Sequence, residues 1–308
     1  MPDKPAAEFP IDESLVRALI TAHAAELPQG AATLVLEKAA EGWDNELWRL
    51  GRDLAVRLPR RELAVALVVN EQRVLPGIAE RIASTGVLVP APLLAGAPSA
   101  QFPWPWSVVP WMEGVPGLDV PRAHRAEWAE TLAAALGALH LPAPADHPVN
   151  PVRGRALATR DKVFGERLDG LRRAALVDAA TARVLAQIWS RGVTAPAWQD
   201  AAVWIHGDLH PGNLVAHDGA LRAIIDFGDV TAGDPAYDLA VAWLAFDESG
   251  RQRFRTATGT RYDADSWTRA HAWAAAVAVL LLVHSDDAPV YGRLAREAVA
   301  EIVGEGDG

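Results

Sequence analysis

Apolar side chains near the start of the chain follow a helical pattern. Leu15, Leu19, Ile20 and Ala24 stand at helical spacing within residues 14–27, which predicts an amphipathic helix with Ser14 as its N-cap. The first dozen residues lack this pattern, so we expect a loose tail there.

A set of short strand-like runs follows. They occupy residues 32–36, 46–50 and 54–58, with turn sequences at 41–45 (EGWDN) and 51–53 between them. Such runs predict the beginning of a small antiparallel sheet. A helix is predicted at residues 62–74, ending before Pro76 because proline cannot donate to the helix ladder. Residues 106–112 predict a further strand.

From residue 113 onward the apolar pattern is mostly helical. Helices are predicted at residues 121–141, 174–189, 235–246, about 266–284 and 289–303. Asp234 is predicted to be the N-cap of the helix at residues 235–246, and Asp238 is predicted to interact with the dipole of that helix from its first turn. We therefore expect an α+β protein with a small sheet-containing lobe, residues 1–113, and a larger, mainly helical lobe, residues 114–308.

Residues 204–229, WIHGDLHPGNLVAHDGALRAIIDFGD, carry most of the candidate chemistry. Asp208 precedes Asn213 by five residues, the spacing of the catalytic base and the metal-binding asparagine in kinases, and Asp226-Phe227-Gly228 follows. The turn signal Asp218-Gly219 predicts a hairpin between them. This hairpin would bring Asn213 and Asp226 together at one end.

These residues predict phosphoryl transfer, which depends mainly on positioning and charge neutralisation. Asp208 would accept or orient the proton of the attacking hydroxyl. Asn213 and Asp226 would hold Mg²⁺ on the nucleotide phosphates, because this ion prefers oxygen ligands.

A metallohydrolase is an alternative interpretation of the same stretch. His206, Asp208 and His210 alternate, so on a strand all three would face one way and could bind a metal. The other histidines lack paired spacing, however, and Pro211-Gly212 would end such a strand. We expect His206 and His210 to brace the loop.

The smaller lobe contains candidates for nucleotide binding. Leu54-Ala55-Val56-Arg57 matches the kinase pattern V-A-I-K, with arginine in place of the lysine that contacts the phosphates. Glu71 lies fourteen residues later on the predicted helix and is the expected partner of Arg57. Gly42 is the single glycine of the turn that would cover the phosphates.

The end of the strand at residues 106–112 is a candidate interlobe hinge that would bind the adenine edge. Pro110 has a carbonyl but no N–H, so the Met112 N–H is the expected donor. Trp104, Trp106 and Trp111 flank this segment and could contact a base.

Composition narrows the class of protein. The net charge of −10 argues against nucleic acid or an anionic membrane as partner, and the chain has no cysteine. The first residues lack a signal-peptide pattern, and the longest apolar run, residues 272–283, is too short to span a bilayer. We expect a cytoplasmic protein.

The chain resembles the aminoglycoside phosphotransferase family, including its macrolide kinase branch. The resemblance rests on HGDLHPGN from residue 206, IDFGD from 225, GDPAYDLA from 233 and the RLPRR segment at 57–61. It implies a protein-kinase-like bilobal fold, ATP or GTP with Mg²⁺, and transfer of the γ-phosphate to a hydroxyl of a small molecule. Gly207 replaces the arginine that reads a phosphorylated activation loop in protein kinases, so a protein substrate is not expected.

The acceptor suggested by the resemblance is an antibiotic, either an aminoglycoside or a macrolide. A polycationic aminoglycoside would need a carboxylate-lined pocket, for which Asp229, Asp247 and Glu248 are candidates. A macrolide would need a broad apolar wall, which tryptophans could supply. A kinase of a metabolite such as choline, a sugar or an amino acid is the alternative, and a non-catalytic nucleotide-binding scaffold is a further one.

Overall fold

The chain folds into two compact units. The computed structural model describes residues 5–284 and 288–305. One unit contains the residues up to Ser84 together with Leu88–Glu113, and the other contains Thr85–Val87 together with the chain from Gly114 onward. The first four residues of the predicted tail lie outside the described part.

The smaller unit is built on a five-stranded antiparallel sheet with strand order β1-β2-β3-β5-β4. Its strands are β1 (Leu36–Glu41), β2 (Asn45–Leu50), β3 (Leu54–Pro59), β4 (Leu94–Gly96) and β5 (Trp106–Pro110), and its helices are α1 (Glu13–Ala22) and α2 (Val65–Ala83). Strand β2 buries alternate residues, including Trp48 and Leu50, because successive side chains of a strand point to opposite faces.

Several predictions for the first forty residues were wrong. The N-cap of α1 is Asp12, which accepts the Leu15 N–H at 2.8 Å, while Ser14 donates to Asp12. Residues 5–12 are not loose, since Glu8 N–H bonds to the Arg60 carbonyl. The first strand begins at Leu36 and not at residue 32, because Ala31–Thr33 form a 3₁₀ turn.

Pro76 does not end α2, which continues to Ala83. A proline inside a helix costs about 3 kcal/mol. The helix buries Leu75, Ile78 and Ile82 around and after this position, and each buried apolar side chain contributes roughly 1.5–3 kcal/mol. Tertiary packing therefore outweighs the local propensity of the sequence.

The larger unit is mainly helical. Its strands are β6 (Val115–Pro116), β7 (Val203–Ile205), β8 (Leu214–His217), β9 (Ala220–Ile224) and β10 (Thr231–Gly233). Its helices are α3 (Arg122–Arg125), α4 (Ala129–Leu139), α5 (Asp161–Arg173), α6 (Ala179–Thr194), α7 (Ala236–Leu239), α8 (Val241–Ala245), α9 (Glu248–Thr258), α10 (Ala264–Val283) and α11 (Pro289–Gly304). The helix predicted at 174–189 begins instead at Ala179, where the Asp178 carboxylate accepts the Thr181 N–H.

Helix α10 is long and apolar enough to cross a bilayer by length and composition alone. Its apolar run, residues 272–283, is short, but the helix also includes polar turns before residue 272. More than half of its most apolar window is buried, and it packs against α5, α6, α7 and α11. In the described chain it is therefore a core helix of the larger unit.

Candidate active site

A two-stranded hairpin positions the predicted metal ligands. Leu214 pairs with Ile224 in the β8–β9 ladder, and the turn has positive φ at Asp218 and Gly219, as a tight hairpin turn requires. Just beyond the ladder, the Ile225 N–H donates to the Asn213 carbonyl at 2.9 Å. The structure thus places Asn213 beside the chain segment that carries Asp226.

A buried carboxylate fixes the loop that carries Asp208. Asp238 accepts the backbone N–H of His206 at 2.7 Å and that of Gly207 at 3.0 Å. Asp238 is fully buried. Asp238 lies in the first turn of α7, as predicted, but its carboxylate also bonds to the catalytic loop, a role that the sequence did not indicate. Asp234 does cap the next helix, accepting the Ala236 N–H.

The side chains of His140 and Tyr262 hold Asp238 in place. His140 Nε2 lies 3.1 Å from Asp238, and His140 Nδ1 lies 2.7 Å from the Tyr262 hydroxyl. Since a carboxylate can only accept, Nε2 donates and Nδ1 accepts from Tyr262. A hydrogen-bonded chain therefore runs from Tyr262 to the backbone of the loop.

Gly207 is required by the shape of this loop. Its φ is +83°, and a Cβ at this position would lie 2.6 Å from the Asp229 carbonyl oxygen. A larger residue would both strain the backbone and push the two segments apart.

The two histidines of the loop make bracing contacts, as predicted. His206 Nε2 bonds to the Ile225 carbonyl at 2.9 Å, and His210 Nδ1 accepts the Gly212 N–H at 3.0 Å. Residues 5–284 and 288–305 contain no group of three His, Cys, Asp or Glu placed to hold a metal. The geometry therefore does not support the metallohydrolase interpretation.

Asn213 and Asp226 suit a magnesium ion by the chemistry of their donors. The Asn213 Nδ2 donates to the Asp208 carbonyl at 2.8 Å, so the side-chain oxygen is the atom left for a cation. Asp226 is exposed and has a φ of +60°, a strained conformation for a residue other than glycine. Two oxygen ligands fit Mg²⁺, which is commonly bound by one or two carboxylates plus substrate phosphates.

Asp208 lies close to the side chains of Arg153 and His210. Arg153 donates to its Oδ1 at 3.0 Å, and His210 Nε2 is 3.6 Å from its Oδ2. Burial alone would raise the pKa of Asp208, but His210, Arg153 and His206 together hold that pKa below its usual value. With 37% of its side chain exposed, Asp208 is an accessible, ionised carboxylate.

Arg153 is a site residue that the sequence analysis missed. Besides Asp208, it donates to Asp229 at 3.2 Å and to the Tyr237 hydroxyl. Burial would lower the pKa of Arg153, but its partners raise the pKa further, so it stays charged. Its position depends on Gly154, where a Cβ would lie 2.4 Å from the Ala232 carbonyl oxygen.

Tyr291 on α11 is a second residue without a sequence signal. Its ring packs edge-on against His210 at 5.6 Å between centroids. Burial and the charges of Asp208 and Asp226 raise the pKa of Tyr291. The hydroxyl therefore stays protonated near the catalytic loop.

In the smaller unit, the predicted pair of Arg57 and Glu71 is formed. Arg57 on β3 donates to Glu71 on α2 at 2.6 Å, and only 16% and 5% of the two side chains are exposed. The next residue on α2, Gln72, donates to the Trp106 carbonyl at 2.8 Å. The helix is thus fixed to β5 at the position where it holds Arg57.

The other two arginines of the RLPRR segment hold the turn that contains Gly42. Arg60 pairs with Glu41 at 2.8 Å and donates to the Gly42 carbonyl at 3.1 Å, while Arg61 pairs with Asp44. This segment therefore links β3 to the turn between β1 and β2.

The hinge candidates lie at the end of β5. Pro110 is the last residue of the strand, and Met112 follows Trp111, whose N–H bonds to the Asp53 carbonyl. The suggestion that Trp106 contacts a base is wrong, because its side chain is fully buried. Trp111 carries the Arg49 guanidinium 4.7 Å from its ring centroid.

The three acidic residues proposed for an aminoglycoside pocket have other contacts or positions. Asp229 accepts from Asn150 and Arg153, and Asp247 caps α9 by accepting the Gly250 N–H. Glu248 lies in the first turn of α9 and is exposed. The structure gives no support for a shared carboxylate-lined pocket.

A comparison with protein-family models decides the class of this site. The APH model, described as the phosphotransferase enzyme family, matches residues 35–273, which include β3, α2, the catalytic loop and the hairpin. The chain belongs to this family. It is a phosphotransferase enzyme, and Asp208, Asn213 and Asp226 lie within the matched region.

Solved structures share the fold of this phosphotransferase at low sequence identity. They include aminoglycoside 2′-phosphotransferase-IIIa with GDP, at TM-score 0.69 and 18% identity over 96% of this chain and 99% of that chain. The complex of APH(2″)-IIia with GDP and kanamycin matches with a TM-score of 0.65 and 19% identity, over 95% of this chain and 98% of that chain. Macrolide 2′-phosphotransferase MphH from Brachybacterium faecium matches with a TM-score of 0.62 and 20% identity, over 94% of this chain and 98% of that chain. No curated protein sequence matches the chain. These matches confirm the predicted α+β, kinase-like fold.

Proposed function

We propose that this phosphotransferase moves the γ-phosphate of ATP or GTP to a hydroxyl of a small molecule. The observation that carries the proposal is the Asp208 loop, where a buried carboxylate fixes the backbone and an accessible, ionised carboxylate is left to meet the acceptor. Asp208 would orient the attacking hydroxyl and take its proton.

Nucleotide binding is proposed for both parts of the chain. Arg57, held by Glu71, would bind phosphate oxygens, Gly42 would lie in the turn that covers them, and the Pro110 carbonyl and Met112 N–H would bind the base. Asn213 and Asp226 would hold Mg²⁺, which neutralises charge on the phosphates when bound. Assigning nucleotide binding to residues 1–113 and catalysis to residues 114–308 remains part of this proposal.

An antibiotic is the first candidate for the acceptor. The names of the structural neighbours support it, since they act on aminoglycosides and macrolides. For an aminoglycoside, however, the chain's own support is weak, because Asp229 is paired with Arg153 and Asp247 caps a helix.

A metabolite kinase is the second candidate, and one observation favours it. A cavity next to Arg153 is lined by three arginines, which suits neither a polycationic aminoglycoside nor the amino sugar of a macrolide.

Turnover of ATP and GTP should be measured against a panel of aminoglycosides, macrolides and hydroxylated metabolites, with Mg²⁺ and with EDTA. Expression in a sensitive bacterium would show whether inhibitory concentrations rise. Protection together with phosphorylation of the same drug would establish the antibiotic acceptor. Turnover of a metabolite alone would establish the second candidate, and no Mg²⁺-dependent transfer to any hydroxyl would refute the kinase proposal.

A further inference from the structure

A cavity of about 220 Å³ lies in the larger unit beside the catalytic loop. Arg153, Arg160 and Arg167 line it, and the described residues of its lining include no aspartate or glutamate. The other walls are aromatic and aliphatic, and they include Phe164, Tyr237, Trp273, Val163, Val277 and Leu280. Asp229, Asp247 and Glu248 are not part of this lining.

Two helices supply most of the cavity wall. Val163, Phe164 and Arg167 share one face of α5, and Trp273, Val277 and Leu280 recur on α10 at intervals of four and three residues, which places them on one face. Phe164 also stacks on Trp189 with ring centroids 4.3 Å apart. The apolar part of the cavity is therefore built on packed helices.

The cavity adjoins the catalytic carboxylate through a single side chain. Arg153 and Tyr237 are in its lining, and the Arg153 guanidinium donates to Asp208 at 3.0 Å. A molecule in the cavity would thus lie next to the guanidinium group that contacts Asp208.

The charge of the cavity is only partly neutralised. Arg153 is paired with Asp208 and Asp229, and Arg160 donates to the Val152 carbonyl. Arg167 has no hydrogen bond or ion pair with any residue in the part of the chain that the structure describes. Burial and the nearby charge of Arg160 lower the pKa of Arg167. A cation in such a place is destabilised unless an anion approaches it.

We propose that this cavity binds the acceptor and that the acceptor carries a carboxylate next to an apolar ring. The proposal rests on the kinase function given above and narrows its substrate class. A guanidinium presents a planar pair of donors that matches a carboxylate. An engineered apolar cavity of roughly 150 Å³ holds benzene, so this cavity has room for one ring with a substituent.

The test uses three acceptors that share a hydroxymethylphenyl group and carry a negative, a neutral or a positive substituent: para-(hydroxymethyl)benzoate, its carboxamide and the corresponding benzylamine. Each is titrated by calorimetry without nucleotide and then assayed for phosphorylation. We expect the carboxylate to bind roughly tenfold tighter than the amide, as one charge-assisted pair allows, and to show the highest kcat/KM.

Arg167→Gln should remove this preference. The affinity for the carboxylate should fall by roughly tenfold, whereas the affinity for the amide should stay within about twofold of wild type. Arg167→Lys should retain part of it, because the charge remains. Arg173→Gln is the matched control, since Arg173 lies on the same helix, is exposed and does not line the cavity. Thermal unfolding of all three variants checks that they fold.

Binding of the carboxylate no tighter than the amide, absence of binding by all three compounds, or equal losses in Arg167→Gln and Arg173→Gln would overturn the proposal. Selective binding without phosphorylation would support the anion site and count against the kinase function. Phosphorylation of a cationic acceptor without selective binding would support the kinase and refute the anion site.

Discussion

At the scale of single residues, the chemistry depends on one carboxylate and the groups that keep it ionised. Asp208 has an accessible side chain on a loop whose backbone is fixed by Asp238. Because Asp208 would act on the acceptor hydroxyl, its removal should affect transfer and leave nucleotide binding intact.

Asp208→Ala should therefore lower kcat by roughly a hundredfold or more, the usual contribution of a positioned base. Nucleotide affinity should stay within about twofold of wild type, since the phosphates are assigned to other residues. Single-turnover rates beside a nucleotide titration measure both effects. Retention of more than about a tenth of the wild-type rate would show that Asp208 is not the base.

Arg153 is expected to set the lower pH limit of activity. Arg153→Gln removes a cation from Asp208, so the pKa of Asp208 should rise. Since the ionised carboxylate is the active form, the acid limb of the profile of kcat/KM against pH should move to higher pH. Arg153→Lys should shift it less. An unmoved acid limb, even with reduced turnover, would mean that Arg153 only supports the structure.

The sequence predicted some site residues and missed others for a physical reason. Asp208, Asn213 and Asp226 lie within one short stretch, where spacing along the chain fixes their chemistry. Arg153 is 55 residues from Asp208 in sequence, and Asp238 is 32 residues from His206. Such contacts form only when distant segments pack, so local patterns do not report them.

At the scale of secondary-structure elements, the Arg57–Glu71 pair connects a strand to a helix in the smaller unit. We expect Arg57→Ala to raise the KM for nucleotide and Arg57→Lys to restore part of it. Glu71→Ala should not be additive with Arg57→Ala, with a coupling energy of about 0.5–3 kcal/mol. Nucleotide titrations of the four proteins in this double-mutant cycle provide the measurement.

Arg52→Ala provides a control for this cycle, because Arg52 is an exposed cation in the turn just before β3. It should leave the nucleotide KM unchanged. Additive effects of the Arg57 and Glu71 substitutions would show that the pair does not act together on the nucleotide.

The existence of these elements was easier to predict than their boundaries. The strand-like runs identified β2 and β3 closely, although β2 buries alternate residues whereas β3 is buried on both faces except at Arg57. Helix α2 runs past Pro76, and the N-cap of α1 lies two residues before the one predicted. For α2, packing against the rest of the unit outweighs the local signal, whereas the cap of α1 is a local contact with a neighbouring carboxylate.

At the scale of the whole molecule, net charge is a poor guide to the acceptor. The chain carries a charge of −10, which is compatible with a cationic substrate. The cavity near Asp208 is instead lined by Arg160 and Arg167, and no acidic residue is found in its lining within the part of the chain that the structure describes. Long-range charge influences association, whereas specificity depends on the few groups that contact the ligand.

Binding of Mg²⁺ and nucleotide should stabilise the whole chain, since a ligand that binds only the folded state adds about 2.7 kcal/mol at a hundred times its Kd. We expect the Tm to rise by about 5 °C or more with ATP or GTP and Mg²⁺, and much less with EDTA. Asp226→Asn should lose the part of the Tm increase that depends on Mg²⁺. Asparagine tolerates the positive φ of Asp226 but lacks its charge. Asp208→Ala should keep the full increase. An increase that is equal with EDTA, or unchanged in Asp226→Asn, would remove Asp226 from the metal site and leave its strained backbone without a functional explanation.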